Sequence, residues 1–305
     1  MMMFLARRLL VAIGVTVIVT FLTFSLQFAA IDPAQALVGE DGRAEDVDRI
    51  RVLYGFDRPI LVQYGDWLWS AARGDLGDSL FFQLPVTDLL AGRIQLTLTL
   101  ATLAMTLALC IGIPLGVIAA VWRGGVIDRL ALMLAVVGQA MPTFWFGLML
   151  IVIFGMMMPI LPISGTEDWR GYVLPIVVVG CYAAPAIMRL IRSGMIDALQ
   201  SDYIRTARAN GLSDSSILLK HALRNAILPL VSLTAVQFGF LLSGSIIVES
   251  VFALNGLGRL AWQSIVRSDL PTVQAIILIF SAMFIVLTTV ADILTAWIDP
   301  RIKVQ

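Results

Sequence analysis

Few residues of this chain have the types and spacing needed for covalent chemistry. His221 is its only histidine, so no histidine pair can hold zinc in an HExxH pattern, and a Ser-His-Asp arrangement has no support elsewhere. The two lysines, Lys220 and Lys303, follow Leu219 and Ile302, not glycine. That excludes a GxxxxGK[ST] phosphate loop and ATP binding of that kind. Cys110 and Cys181 fall inside long apolar runs and read as small packing residues, not as a disulfide. No catalytic residue, metal site or resident cofactor is expected, and no nucleic-acid partner.

Movement of a solute across a membrane is the chemistry that remains. A proton- or ion-coupled carrier keeps ionisable groups inside its spans. Here the runs hold almost none: the acidic ones are Glu249, near one end of the fifth, and Asp292, near the end of the sixth. The other polar content is Thr, Ser and Gln, as in "QLTLTLATLAMT", Gln139 and Gln237. A small-residue ridge, Ala235, Gly239 and Ser243, recurs every four positions of the fifth run and suits close helix packing or the lining of a path. Gln139, Gln237, Ser243 and Glu249 are therefore the candidate path residues. Such a chain can form a route but has no evident energy source, so energy must come from a partner.

The elements that position these residues are membrane helices. The chain is 59% hydrophobic and 14% charged, against about 25% charged in soluble domains. Six apolar runs reach the roughly 20 residues that a span needs: 9–30, 94–121, 130–158, 172–190, 230–252 and 273–298. The fold class is an all-α integral membrane protein with six transmembrane helices, the third kinked at Pro142. The first run follows Arg7 and Arg8 and precedes "AQA", but its apolar core exceeds the about 7–15 residues of a signal peptide, so it reads as a retained span. Twelve basic residues fall on one side: Arg7, Arg8, Arg123, Arg129, Arg189, Arg192, Arg205, Arg208, Lys220, Arg224, Arg301 and Lys303. The segment 31–93 on the other side holds eleven acidic and six basic residues. Positive charge marks the cytoplasmic side, so both termini are expected there. Within 31–93 a small, mainly helical external subdomain is expected, with Trp67 and Trp69 at headgroup level. The outer loop 253–272 is rich in turns and then helix-like before Pro271.

One polar segment stands apart. "DYIRTARANGLSDSSILLKHALRNAILP", from Asp202 to Pro229, gathers three arginines, Lys220 and His221 between two apolar runs. Its pattern predicts two short helices with a corner. Ser201 or Asp202 caps the first, Gly211 ends it in the left-handed conformation, Ser213 caps the second, and Pro229 opens the fifth span. Such an L-shaped segment either docks on a partner outside the membrane or rests on anionic headgroups.

The same segment resembles the cytoplasmic coupling loop, of the EAA type, of bacterial ABC-importer permeases, over residues 195–229. It is closest to the dipeptide/oligopeptide/nickel family, in which "DYIRTARAKG" and "HALRNA" recur. The general pattern EAA-x3-G falls on Arg205, Thr206, Ala207 and Gly211, and only Ala207 and Gly211 match it literally. Its later Leu-Pro falls on Leu223 and Arg224, so that proline is missing. "DPAQAL", "YGFDRPILVQYGDWL", "GDLGDSL", "PVTDLL", "GIPLGVIAAVWRGGVIDRL", "VESVFALNGLGRL", "DLPTVQA" and "DPRI" are also similar to the family, which frequently has Gly where Ile31 stands. "KHALRNAILP" and "QFGFLLSGSIIVESVF" are nearest to its glutathione and small-peptide members.

The resemblance implies a type I ABC importer permease fold, organised as 1–30, the external segment 31–93 and a permease core 94–305. It implies a subunit that pairs with a second, homologous permease, two ABC ATPase subunits or domains that bind ATP and Mg, and an extracytoplasmic substrate-binding protein. Tyr203, Arg205, Thr206, Ala207, Arg208, Ala209, Gly211 and Leu212 would form the coupling surface in the bacterial inner membrane. Di- and oligopeptides, glutathione-like peptides and nickel chelates are all cargo of similar permeases. A channel or carrier independent of any ATPase is the alternative from another class.

Overall fold

The computed structural model describes residues 2–30, 32–39 and 42–298. The "DPRI" motif with Arg301 and Lys303, and Ile31, lie outside the described residues. Among the described residues every regular element is helical, apart from one isolated bridge between Asp78 and Pro85. The chain forms two compact units, Met1–Leu96 with Asn255–Ile285 and Thr97–Leu254 with Val286–Gln305.

In the first unit, α1 (Met2–Ala30) is an almost unbroken apolar helix of 29 residues. At about 1.5 Å per residue it exceeds the roughly 30 Å of bilayer hydrocarbon. Its threonines do not leave polar atoms bare: Thr16 and Thr23 donate to the carbonyls of Ala12 and Val19, at 3.0 and 2.9 Å. Then come α2 (Pro33–Val38), α3 (Ala44–Leu53), α4 (Ile60–Ala72) and α5 (Val86–Leu90). Asp32 starts α2 by accepting from the Ala34 amide at 3.0 Å, with proline in the first turn. Tyr64 of α4 fixes that helix to α1, its hydroxyl 2.9 Å from the Thr20 hydroxyl and 3.0 Å from the Val17 carbonyl. Its ring meets Phe21 and Phe24 edge-on. Trp67 and Trp69, both expected at headgroup level, part ways. Trp69 is exposed under the Arg73 guanidinium, whereas the indole nitrogen of Trp67 is buried, because adjacent odd positions of a helix sit 200° apart.

The second unit contains most of α6 (Arg93–Val121), then α7 (Val126–Ala140), α8 (Thr143–Leu150) and a π-helical continuation, Ile151–Met157. Among the described residues five helices are long and apolar enough to span a membrane, and the pair Val126–Ala140 and Thr143–Met157 makes a sixth only if counted as one span bent by 98°. The kink expected at Pro142 is a sharp break. Proline supplies no amide hydrogen and forces Met141 out of the helical region, to φ −71° and ψ 126°.

α9 (Val173–Leu199) is central to this unit and packs against α7, α8 and the helices that follow it. It extends past the end expected at residue 190, since no proline follows Pro185 within it, and so Arg189 and Arg192 lie on a helix and not in a loop. Ala104, Ala108, Gly112 and Gly116 form a small-residue seam on α6. A Cβ on Gly112 would stand 2.9 Å from the Ala184 carbonyl, and one on Gly116 2.7 Å from that of Met188. The backbones of α6 and α9 approach this closely only because the side chains are missing.

After α9 come α10 (Asp202–Ala209), the single turn α11 (Asp214–Ser216), a π-helical stretch Ile217–Ala222, and α12 (Leu223–Ala226). α13 (Leu228–Val251) opens with Pro229 in its first turn, α14 (Leu257–Val266) belongs to the first unit, and α15 (Leu270–Ile298) ends the described chain. In the first unit, Val86, Leu89 and Leu90 of α5 form a buried cluster with Leu257, Leu260 and Ala261 of α14 and Ala275 and Ile276 of α15.

Candidate functional site

α10 is amphipathic at short range. Ile204 and Ala207 are buried, while Tyr203, Arg205, Thr206, Arg208 and Ala209 are exposed, as are Gly211 and Leu212 beyond the helix. Ala207, expected on the contact surface, is therefore a packing residue three positions from Ile204 on the same face. Arg205 pairs with Asp202 one turn back, at 3.2 Å and largely in solvent, so the pair adds little stability.

The corner is built in the backbone. Gly211 has φ +74°, and its amide donates to the Arg208 carbonyl at 3.0 Å while the Leu212 amide donates to that of Ala207 at 3.3 Å. These two bonds constitute a Schellman cap, which requires the left-handed residue that glycine supplies. Nothing lies within 4 Å of a Cβ built on Gly211, so conformation alone demands glycine there. The expected serine caps are different. Ser201 and Ser213 occupy the positions before α10 and α11 with extended backbone, yet neither side chain bonds a helix amide. Ser201 donates back to the Ala198 carbonyl, and the Ser213 hydroxyl lies 3.3 Å from that of Ser215.

The second helix, expected to run unbroken to Pro229, is instead a turn of α-helix, a π-helical stretch and another α turn. With no proline at Arg224 to end it, the chain stays helical but widens to place Ile217 and Ala222 in the core. His221 and Lys220 lie on this wide stretch. Asn225 of α12 donates to the Tyr203 hydroxyl at 2.7 Å and so ties α12 to α10. Gly194 ties α12 to α9: a Cβ there would sit 3.1 Å from both Cα and Cβ of Ala226. α12 is thus linked to α10 on one side and to α9 on the other.

Two further charged groups each brace their own unit, and neither was singled out by residue spacing. Asp128, at the start of α7, accepts from Arg192 Nε at 2.6 Å, from its Nη2 at 2.8 Å and from the Gly124 amide at 2.8 Å. In this bidentate pair 4% of the Asp128 side chain and 23% of that of Arg192 are exposed, and it clamps α7 to α9. In the first unit Asp269 is fully buried and accepts from Ser79 Oγ at 2.6 Å, Thr272 Oγ1 at 2.7 Å and the Leu80 amide at 2.9 Å. "IDRL" and "SDLP" each contained the acid, but its partners lie 64 and 190 positions away in sequence.

The candidate path residues differ in exposure. Gln139 and Ser243 are exposed, and Gln237 is half-buried. Glu249 is 0% exposed and accepts from Thr97 Oγ1 at 2.8 Å and Ser245 Oγ at 3.0 Å, which makes it an internal brace and not an open lining residue. Of the small ridge on α13, Ala235 is buried, Gly239 half-buried and Ser243 exposed, so the ridge winds from the core to the surface.

A helical membrane protein with a short amphipathic helix exposed at its surface is the class of protein that this geometry defines. Comparison with known proteins agrees. Residues 112–304 match the binding-protein-dependent transport system inner membrane component family, and residues 1–101 match the N-terminal part of such membrane components. The chain is 40% identical, over 99% of its own length and 99% of theirs, to the glutathione transport system permease proteins GsiC of Escherichia coli strain K12 and of Shigella dysenteriae serotype 1. Among solved structures, a chain of the MetNI methionine ABC transporter in an inward-facing conformation superposes with a TM-score of 0.60 at 19% identity, covering 70% of this chain and 97% of that one. This chain belongs to the family of binding-protein-dependent inner-membrane transport components, and it is a permease subunit of an ABC importer.

Proposed function

We propose that the chain is one of two homologous transmembrane subunits of an importer of small peptides, glutathione among them, and that α10 with its Gly211 corner receives the force of ATP-driven closure. The support for the cargo is the 40% identity to glutathione permeases across the full chain, together with the peptide-family motifs of the 202–229 segment. The observation that carries the coupling role is mechanical. α10 presents Tyr203, Arg205, Thr206, Arg208 and Ala209 outward, and behind it the Tyr203–Asn225 bond and the Gly194–Ala226 contact lead into α9. A helix held this way transmits displacement instead of absorbing it. The alternative of a basic helix lying on headgroups gives no reason for the ties behind α10.

In this reading two ATPase subunits or domains bind ATP and Mg, and their clefts take α10 with Arg205 and Arg208 as charged contacts. Both termini face the cytoplasm. An external binding protein delivers the peptide on the side of residues 32–90 and α14. Spans of the two permeases then expose the path alternately to either side, with Gln139, Gln237 and Ser243 as its polar positions in this subunit.

Binding-protein-dependent uptake of labelled glutathione into cells tests the proposal. Gly211→Val and Arg205→Glu are each expected to reduce uptake at least tenfold, with the same amount of permease in the membrane. Normal uptake in both variants would refute coupling through this segment.

A further inference from the structure

α4 divides into three faces when its residues are set about 100° apart around the helix. Tyr64 is buried on the first, which Trp67 and Ala71 share, and fastens that face to α1 through Thr20 and Val17. Gln63, Asp66 and Ser70 form the second, polar face. There Asp66 meets Arg58 at 3.5 Å, mostly in solvent, and Gln63 donates to the Arg58 carbonyl at 2.7 Å. The third face, about 120° wide, is apolar throughout and yet open. Leu61 is 68% and Trp69 63% exposed, Val62, Gly65 and Ala72 are exposed with them, and Leu68 is half-buried. An uncovered apolar stripe of this width marks a surface that meets something apolar.

Two observations identify the partner. The first is place. Val17 and Thr20 lie inside Leu10–Ala29, an apolar stretch long enough to cross a bilayer, so Tyr64 holds α4 alongside a span and not beyond its end. Next to the face of α1 that meets Tyr64, Ile18, Leu22 and Leu26 are exposed, so open apolar surface adjoins the tie on both helices. The second is charge. Arg73, at the border of the third face, carries its guanidinium 4.5 Å above the centre of the Trp69 ring. Stacking leaves the N–H groups, which lie in the guanidinium plane, for an acceptor. We propose that α4 is seated in the leaflet at the C-terminal end of α1, with its third face against acyl chains and the Trp69–Arg73 pair receiving a phospholipid phosphate. Tryptophan and arginine at the edge of an apolar stripe are the usual equipment of a helix at the bilayer interface. The segment between α1 and α6 is then not wholly external, because α4 belongs to the membrane-seated part. The inference rests on the chain being a membrane protein and depends on neither the cargo nor coupling through Gly211.

Water, another protein subunit and lipid differ in what can reach that face. The full transporter assembly is reconstituted in nanodiscs containing phosphatidylglycerol, with Cys110 and Cys181 replaced by alanine. Single spin labels are attached after Leu61→Cys, Gly65→Cys or Ala72→Cys on the open face, and after Asp66→Cys or Ser70→Cys on the polar one. Nothing lies within 4 Å of a Cβ built on Gly65, so a side chain there starts in open space. Collisions with oxygen, which concentrates in hydrocarbon, and with a water-soluble nickel chelate report each label's surroundings. The oxygen-to-nickel accessibility ratio is expected to be about tenfold higher on the open face than on the polar one, and unchanged by adding the binding protein. Arg73→Glu, which sets repulsion against phosphate, should lower the ratio for the Leu61 label, whereas Arg73→Lys should preserve it. High nickel access on the open face places α4 in water and overturns the proposal. Low access to both reagents puts another subunit on that face and overturns it equally, as does loss of oxygen access when the binding protein is added. A ratio indifferent to Arg73→Glu overturns the phosphate contact.

Discussion

At the residue scale, Gly211 and the Asp128–Arg192 pair carry the account, for opposite reasons. Gly211 has open space around it, and only its φ of +74° restricts what can replace it. Valine is strongly disfavoured there, whereas asparagine visits the left-handed region at modest cost. Gly211→Asn should therefore keep most uptake while Gly211→Val loses it, a ranking that uptake assays at matched expression will check. A steric role would penalise both. The Asp128–Arg192 pair is restricted by its surroundings. Arg192→Ala leaves a nearly buried carboxylate with only the Gly124 amide, and removing one partner of such a pair costs roughly 3–5 kcal/mol. A large fall in the thermal unfolding temperature of the detergent-solubilised assembly is expected. Arg192→Lys should recover part of it, since a lysine keeps the charge but not the two-pronged geometry.

At the element scale, what matters is which helices can slide and which cannot. The seam between α6 and α9 depends on Gly112 and Gly116, where an added Cβ would come within 2.9 Å of carbonyl oxygens and of Ile187 or Ile191. Gly116→Leu should force these helices apart and lower both the folded yield and the unfolding temperature, measurable by size-exclusion of a fluorescent fusion. Gly194 is the equivalent point between α9 and α12, and a tie, not a core. Gly194→Leu should leave the helices folded but loosen the 202–229 segment. Faster limited proteolysis within that segment and reduced uptake are the expected readouts.

Much of this was legible in the sequence, and the failures have physical causes. Apolar runs announced the long helices because burial in lipid demands length and composition, and Gly211 announced the corner because few residues tolerate its backbone. The break at Pro142 was visible, but its size was not, since a proline can kink or sever a helix according to what packs around it. Ser201 and Ser213 have the right types for caps, but competing carbonyls and hydroxyls took their hydrogen bonds. Ala207 matched a motif and turned out to be buried. Asp128, Asp269 and Glu249 were the least legible, because a buried carboxylate is defined by partners such as Arg192, Ser79 and Thr97, far away in sequence.

At the scale of the whole molecule, the chain is a permease subunit of an ABC importer, and the proposed function has it move when a partner spends ATP. Asp128, Arg192, Asp269 and Glu249 are bonded internally, whereas Arg205, Arg208, Lys220 and Arg224 remain at the surface of the segment between α9 and α13, which the proposed function assigns to the ATPase. The most direct test joins that surface to its partner. With Cys110 and Cys181 replaced by alanine, Arg208→Cys in α10 is paired with single cysteines along the cleft of the ATPase subunit, and disulfide formation is followed in membrane vesicles. The account predicts an efficient cross-link at one or a few cleft positions, whose yield changes on adding ATP and which blocks uptake until it is reduced. No cross-link along the whole cleft, in vesicles that still import glutathione, would contradict it.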